Sequence, residues 1–331
     1  MALRIHFTSA DVGRVRVAEA PHVLWEVLLA AHMVQSRDGP LVFDAWRRPA
    51  RRRLTVPMRR LLALAPATGY SPDFLTPAQP ADGLEAGLEA VRRVPSARLR
   101  TELDSLAPGR RTLPWVQALS EGTATALGML TEAMDAFYQS LLAPYWHQIE
   151  GHLASDRALR ARAALNGGVD QLLASLHPEV SWRPPELVLG GFPYDRDLRL
   201  EGRGLLLLPS FFCWRRPTVL RDEQLAPVLV YPVAHDPRWV LKARAAPCAS
   251  REVEALIGRT RAAILDATER GASTGELARE IRVSPATVSA HIGVLREAGL
   301  VTTERSSATV SHTLSALGRA LLDNPESTQG S

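Results

Sequence analysis

The chain has 331 residues, 46% of them hydrophobic and 22% charged, with a formal net charge of +4. That balance excludes a disordered chain and is enough for two domains, each burying its own core. The longest apolar run, residues 204–214, is interrupted by Pro209 and too short to span a bilayer, and two cysteines, Cys213 and Cys248, make no disulfide framework. Residues 1–17 mix acid and arginine, unlike a secretory leader, so a cytoplasmic protein with no membrane partner is expected.

In chain order, Leu3, Ile5 and Phe7 alternate with Arg4 and His6, which predicts an opening strand. An apolar helix carrying Trp25 follows over 21–36. Proline-punctuated helical pieces come next over 59–64, 83–93, 97–106 and 123–142, then 159–176 interrupted by Gly167-Gly168. From Glu179 the texture changes to strands, over 186–189, 198–209 and 228–233. The first domain, residues 1–245, is therefore expected to be mostly helical with a late sheet. Residues 244–251, with Pro247 and small side chains, are the best linker. Residues 252–268 predict one helix with Leu256, Ile264 and Leu265 among its apolar positions.

Residues 273–300 carry the sharpest local signals. Ser273 and Glu276 form a capping box, and Leu277, Ala278 and Ile281 give the helix after it one apolar face. Ser284 is a good N-cap with Pro285 at the first helical position. Val288, Ile292 and Leu295 then repeat at i, i+4 and i+7, and Gly299 ends the second helix. Two capped helices, a short turn and the small Ala278 at their crossing predict a helix-turn-helix. Residues 300–304 and 309–314 alternate in polarity as half-buried strands do, with 305–308 as the hairpin tip and a helix over 315–322. The order is a winged helix-turn-helix over 252–322, followed by a polar tail, 323–331. The fold class expected is α+β and mostly helical: an N-terminal mixed α/β, sensor-like domain, then a C-terminal winged helix-turn-helix.

Residues 252–322 resemble the ArsR/SmtB-type winged-helix transcription regulators. The resemblance rests on Leu277-Ala278, on Ser284-Pro285-x-Thr287-Val288-Ser289-x-His291, and on Leu295-Arg296-Glu297-Ala298-Gly299-Leu300-Val301. It implies binding of double-stranded DNA as a homodimer, with the first and last helices of the domain as the dimer contact. Residues 1–245 resemble the large uncharacterised N-terminal domain of some actinobacterial ArsR-like regulators, through LRIHFT, GYSPDFLTPA, APYW, GRGLLLLPSFFCW and PVLVYPV. That likeness carries no known chemistry.

With Val288 inward, Ala286, Ala290, Gly293 and Glu297 face outward, and Thr287 and Ser289 flank them. A recognition helix inserts its N-terminal end into the major groove, so Ala286, Thr287, Ser289 and Ala290 should lie nearest the bases, with the N-cap Ser284 a further DNA-contact candidate. His291 is close enough to reach a phosphate or base. Arg279, Arg282 and Arg296 are phosphate candidates, and Arg305 at the wing is a minor-groove or phosphate candidate. No Arg, Asn or Gln faces the groove in the first turn and a half, so bidentate base pairs are scarce and shape should carry part of the specificity. Bulk charge is a poor guide here. Residues 251–331 hold nine arginines against ten carboxylates, whereas residues 1–250 hold the excess of basic side chains.

Soft-metal sensing needs thiolate ligands, and the helix over 274–281 has none, so neither a metal nor a cofactor is expected. His147 and His152 lie five apart, about 140° round a helix, not on one face; an exposed helix end is the plainer reading. There is no G-x-S-x-G, phosphate loop or G-x-G-x-x-G, so no enzyme is expected. Seven arginines between Arg47 and Arg60 read first as a solvated face, and otherwise as an extension of the DNA footprint or a site for an acidic ligand. A first domain near 245 residues exceeds what dimerisation demands, which favours an input module for a small-molecule effector or a partner. The alternative from another class is an enzyme or interaction protein in which the winged helix only docks partners.

Overall fold

The computed structural model describes residues 1–77, 83–106, 108–111, 113–192, 195–244, 251–268, 271–281, 283–306 and 309–322. The tail expected over 323–331 lies outside them, as do Arg282 and linker residues 245–250 with Cys248. The chain divides into two compact units, Met1–Ala243 and Arg244–Ser331. The architecture is α+β and mostly helical, with a mixed α/β N-terminal unit and a C-terminal helix-turn-helix unit.

The N-terminal unit starts with β1 (Ala2–His6), α1 (Ser9–Val12) and β2 (Val15–Val17). Helices α2 (Val23–Gln35), α3 (Pro40–Arg53), α4 (Val56–Leu64), α5 (Leu84–Arg92), α6 (Ser96–Asp104), α7 (Pro108–Arg111), α8 (Pro114–Ser120) and α9 (Ala124–Phe137) follow. α10 (Trp146–Ala174) is one long helix kinked where Gly167 and Gly168 leave helical geometry. Strands β3 (Val180–Arg183), β4 (Glu186–Gly190), β5 (Arg196–Arg199), β6 (Leu205–Ser210), β7 (Thr218–Val219) and β8 (Val228–Pro232) lead to α11 (Trp239–Arg244).

The late strands do not make one sheet. β1 enters a mixed sheet of order β3-β4-β1-β5, and β2 enters a second of order β2-β6-β8-β7 in which β2, β6 and β8 run parallel. The single strand expected over 198–209 is two, β5 and β6, in different sheets, separated by a turn where Glu201 has φ 53°. Polarity explains the partition. β1 and β4 alternate buried with half-buried residues, as a sheet covered on one face does, while β6 and β8 are buried on both faces. Along β8, Val228 and Val230 join the large helical core around Phe43, Trp46 and Phe137; Leu229 and Tyr231 join a second core with Leu3, Ile5, Leu187 and Leu173. The parallel sheet is thus the middle layer between the helices and the mixed sheet.

Helix α3 is absent from the sequence expectations because Pro49 and five arginines obscure its apolar positions, yet Val42, Phe43, Trp46 and Ala50 are buried at helical spacing. Glu26, fully buried in α2, accepts backbone N–H groups of Phe211 at 2.9 Å and Phe212 at 3.0 Å. Burial pushes its carboxyl up to about 7, against the pull of those donors and of the Ser210 hydroxyl.

The C-terminal unit holds α12 (Arg251–Ile257), α13 (Arg259–Ala267), α14 (Thr274–Ile281), α15 (Pro285–Glu297), β9 (Val301–Ser306), β10 (Thr309–Leu314) and α16 (Ala316–Leu322). The single helix expected over 252–268 is broken at Gly258, whose φ of 83° is not helical. The break leaves Leu256 exposed, while Ile264 and Leu265 enter a core with Leu277, Val288, Ile292 and Leu295.

Candidate nucleic-acid interface

α14 begins at the anticipated capping box. The Ser273 N–H donates to Glu276 Oε2 at 2.8 Å, and the Glu276 N–H donates back to Ser273 Oγ at 3.3 Å. The Ser273 N–H and the Ser273 hydroxyl, both donating to its carboxylate, hold the Glu276 carboxyl below its ordinary value. Leu277 and Ala278 face the core, and the Val283 N–H returns to the Ala278 carbonyl at 3.1 Å, closing the turn. Ser284 then caps α15: its Oγ accepts the Thr287 N–H at 3.1 Å. At the other end Gly299, at φ 72°, takes the left-handed position that L side chains avoid. Its N–H reaches the Arg296 carbonyl and the Leu300 N–H the Leu295 carbonyl, at 2.9 and 2.8 Å, the paired bonds of a Schellman ending.

With Val288, Ile292 and Leu295 buried, the opposite surface of α15 is available. Ser284, Ala286, Ser289 and Ala290 are exposed near its start; Thr287 and His291 are half-buried. The Thr287 hydroxyl is 2.7 Å from Ser284 Oγ, so two of the expected contact hydroxyls are already engaged in the cap. Ser289 is the exposed hydroxyl beside the small Ala286 and Ala290. Arg296 is exposed on the Ser289 stripe but about 10 Å further along the axis, away from the N-terminal cluster. Arg279, also exposed, lies in the last turn of α14.

The wing is an antiparallel pair in which Val301 faces Leu314 and Arg305 faces Val310. Of the tip expected over 305–308, Arg305 and Ser306 are strand residues, and 307–308 lie outside the described residues. The Arg305 side chain itself lies outside the described residues.

His312 was not anticipated, although it occupies an inward position of β10. It is 5% exposed, with Nε2 3.0 Å from Thr274 Oγ1 and Nδ1 3.0 Å from Thr303 Oγ1. Its backbone pairs with Ala272 in both directions, at 3.0 and 2.9 Å. A neutral imidazole donates from one nitrogen and accepts at the other, so the two hydroxyls satisfy it and tie the wing to the start of α14. Burial, then the nearby Arg296 charge, pushes its pKa below the ordinary value. α16 closes the unit. Ser315 Oγ donates to the Gly299 carbonyl at 2.6 Å and accepts the Gly318 N–H at 3.0 Å, and a Cβ on Gly318 would overlap the Leu300 carbonyl oxygen.

Other sequence candidates resolve into local structure. Arg47 Nε donates to the Met33 carbonyl at 2.8 Å, and its other nitrogens to Asp44 and the Asp38 carbonyl. Arg51 donates to the carbonyls of Val34 and Ser36 at 2.6 and 2.7 Å. Both close the C-terminal end of α2, Arg47 buried and Arg51 from an exposed position; Arg48, Arg52, Arg53 and Arg59 are exposed as well. His147 and His152 are not a shared exposed end: His147 is exposed in the first turn of α10, but His152 is half-buried against Phe211 and accepts the Asp236 N–H at 3.2 Å. Cys213 is buried, as its apolar run predicts, and burial raises its pKa. Among the described residues no group of three or more His, Cys, Asp or Glu could hold a metal, and no helix is long and apolar enough to cross a membrane.

A family model described as a helix-turn-helix domain matches residues 256–304, which run from the end of α12 into β9. No curated protein and no solved structure gives a significant match to the chain.

Proposed function

We propose that the chain is a sequence-specific DNA-binding transcription regulator of the ArsR type, acting in the cytoplasm as a homodimer. The observation that carries this reading is the match over residues 256–304 on a unit whose fourth helix, α15, presents small and hydroxylic side chains at its N-terminal end. In this reading Ala286, Ser289 and Ala290 meet base edges, and Ser284 and Thr287 position the helix start against phosphate. His291, Arg296 and Arg305 contact the backbone from the flank, the far end and the wing. A small-molecule effector or partner received by the N-terminal unit shifts the population of DNA-competent dimers. Dimerisation through the first and last helices is supported by Leu256, 70% exposed on α12, and Leu317, 59% exposed on α16.

Selection of binding sites from random duplex DNA with the purified full chain tests the reading. The expected result is one enriched two-fold symmetric motif, lost in the Ser289→Arg variant at unchanged helicity. Failure to enrich any sequence would leave the docking alternative. Sedimentation of Leu256→Glu and Leu317→Glu tests the dimer, which should dissociate to monomers in both.

A further inference from the structure

The N-terminal unit contains a cleft of about 330 Å³ between the end of α10 and the segments that follow β6 and β8. Arg160, His177, Trp214, Arg215, Val233 and His235 supply its chemistry, and no carboxylate is among its lining residues. The charges there are not equivalent. Arg160 is held by Asp156 at 2.9 Å and by Ser175, so its charge is already balanced. His235 donates from Nε2 to the Phe211 carbonyl at 2.6 Å, and burial pushes its pKa down to about 4, so its ring is neutral. His177 accepts the Glu179 N–H on Nδ1 at 3.1 Å, which places its own proton on Nε2 as a free donor. Arg215 remains. Its side chain is 68% exposed, and the carboxylate paired with it among the described residues, Asp38, is 3.8 Å away and itself over half exposed.

One further observation points to a ligand. Arg215 is held at φ 64°, a conformation uncommon for a residue with a Cβ and concentrated at binding sites. Trp214 and His235 pack edge to face at 5.3 Å, forming an aromatic wall.

One effective positive charge, one imidazole donor and an aromatic wall fit a monoanion with an apolar body better than a bare dianion. We propose that this cleft binds a small single-ring organic carboxylate, its carboxylate held by Arg215 and His177 Nε2 and its ring laid against Trp214 and Val233. The proposal deepens the reading of the N-terminal unit as an input module and rests on that reading for its coupling to DNA, though not for binding.

Calorimetric titration of the full chain with benzoate, benzyl alcohol and inorganic phosphate tests it. Benzoate should bind at one site per chain, benzyl alcohol and phosphate at least about tenfold more weakly, and Arg215→Gln should weaken benzoate by about tenfold. Ala234→Trp, at an exposed position on the cleft, should abolish binding by filling it. Absence of benzoate binding, equal binding of benzyl alcohol or phosphate, or an unaltered affinity in both folded variants would each overturn the site. Operator affinity with and without benzoate separates the two claims. Binding with unchanged operator affinity keeps the site and removes the input role; operator release by other metabolites, without benzoate binding, keeps the input role and removes the site.

Discussion

The arginine-rich helix α3 and the second helix of the helix-turn-helix, α15, make opposite use of their side chains. α3 carries Arg47, Arg48, Arg51, Arg52 and Arg53 within a single helix, yet Arg47 and Arg51 turn back to satisfy carbonyls at the end of α2. α15 has one arginine, Arg296, and leaves Ser289, Ala286 and Ala290 facing solvent. A guanidinium that completes a helix end is spoken for; a small exposed side chain on a rigid, doubly capped helix is available. Density of charge along the chain and availability for a partner are therefore separate properties.

The sharpest way to break that contrast is to remove the inward arginine. Arg47 is 2% exposed, and its loss leaves the Met33 and Asp38 carbonyls and Asp44 without their shared donor. Arg47→Ala should cost roughly 3–5 kcal/mol in urea unfolding, whereas Arg48→Ala, at a position 80% exposed, should stay within about 0.5 kcal/mol. Similar small effects from both would mean the run is a solvated face throughout.

On the side of α15, the platform should matter in the same way. Leu277 is fully buried beneath the helix crossing, and Leu277→Ala should destabilise the C-terminal unit by about 2–5 kcal/mol, read as faster hydrogen exchange along α14 and α15. An unchanged exchange pattern would show that the exposed face of α15 does not depend on that packing.

His312 gives a smaller, pH-dependent effect. Its folded pKa lies below the ordinary 6.5, so the folded state favours the neutral ring. The stability it contributes is present above 6.5 and declines as pH falls from there toward the lower folded value. Hydrogen exchange in β9 and β10 should therefore accelerate on acidification across that window, and His312→Gln should flatten the response. Acceleration of the same size in the variant would assign the effect to another group.

How far these regions were legible in the sequence follows from how local their causes are. The caps of α14 and α15 lie within four residues of the groups they satisfy, and both were readable from Ser273, Glu276, Ser284 and Gly299. The role of Arg47 depends on carbonyls fourteen and nine residues away in the preceding helix and loop, which no spacing rule reports. The same holds for His312, whose partner Thr274 is thirty-eight residues back, and for β1 and β2, adjacent in sequence but placed in different sheets by strands nearly two hundred residues later. Gly258 is intermediate: a glycine inside a helical pattern is often tolerated, and nothing in the sequence around it reports the φ of 83° that breaks the helix there.

The finest distinction concerns α15 itself. If Ala286, Ser289 and Ala290 read bases while Arg296 only positions the helix, their substitutions should differ in kind. Arg296→Ala should weaken operator and random duplex alike and lower the slope of log affinity against log salt by about one. Ser289→Ala should leave that slope unchanged and reduce discrimination between operator and single-mismatch duplexes by about 1 kcal/mol or less, because a lone hydroxyl makes a single hydrogen bond where bidentate contacts make two. Competition binding across several salt concentrations separates the two. A change of salt slope in Ser289→Ala, or of mismatch discrimination in Arg296→Ala, would reverse the roles assigned to the start and end of the helix.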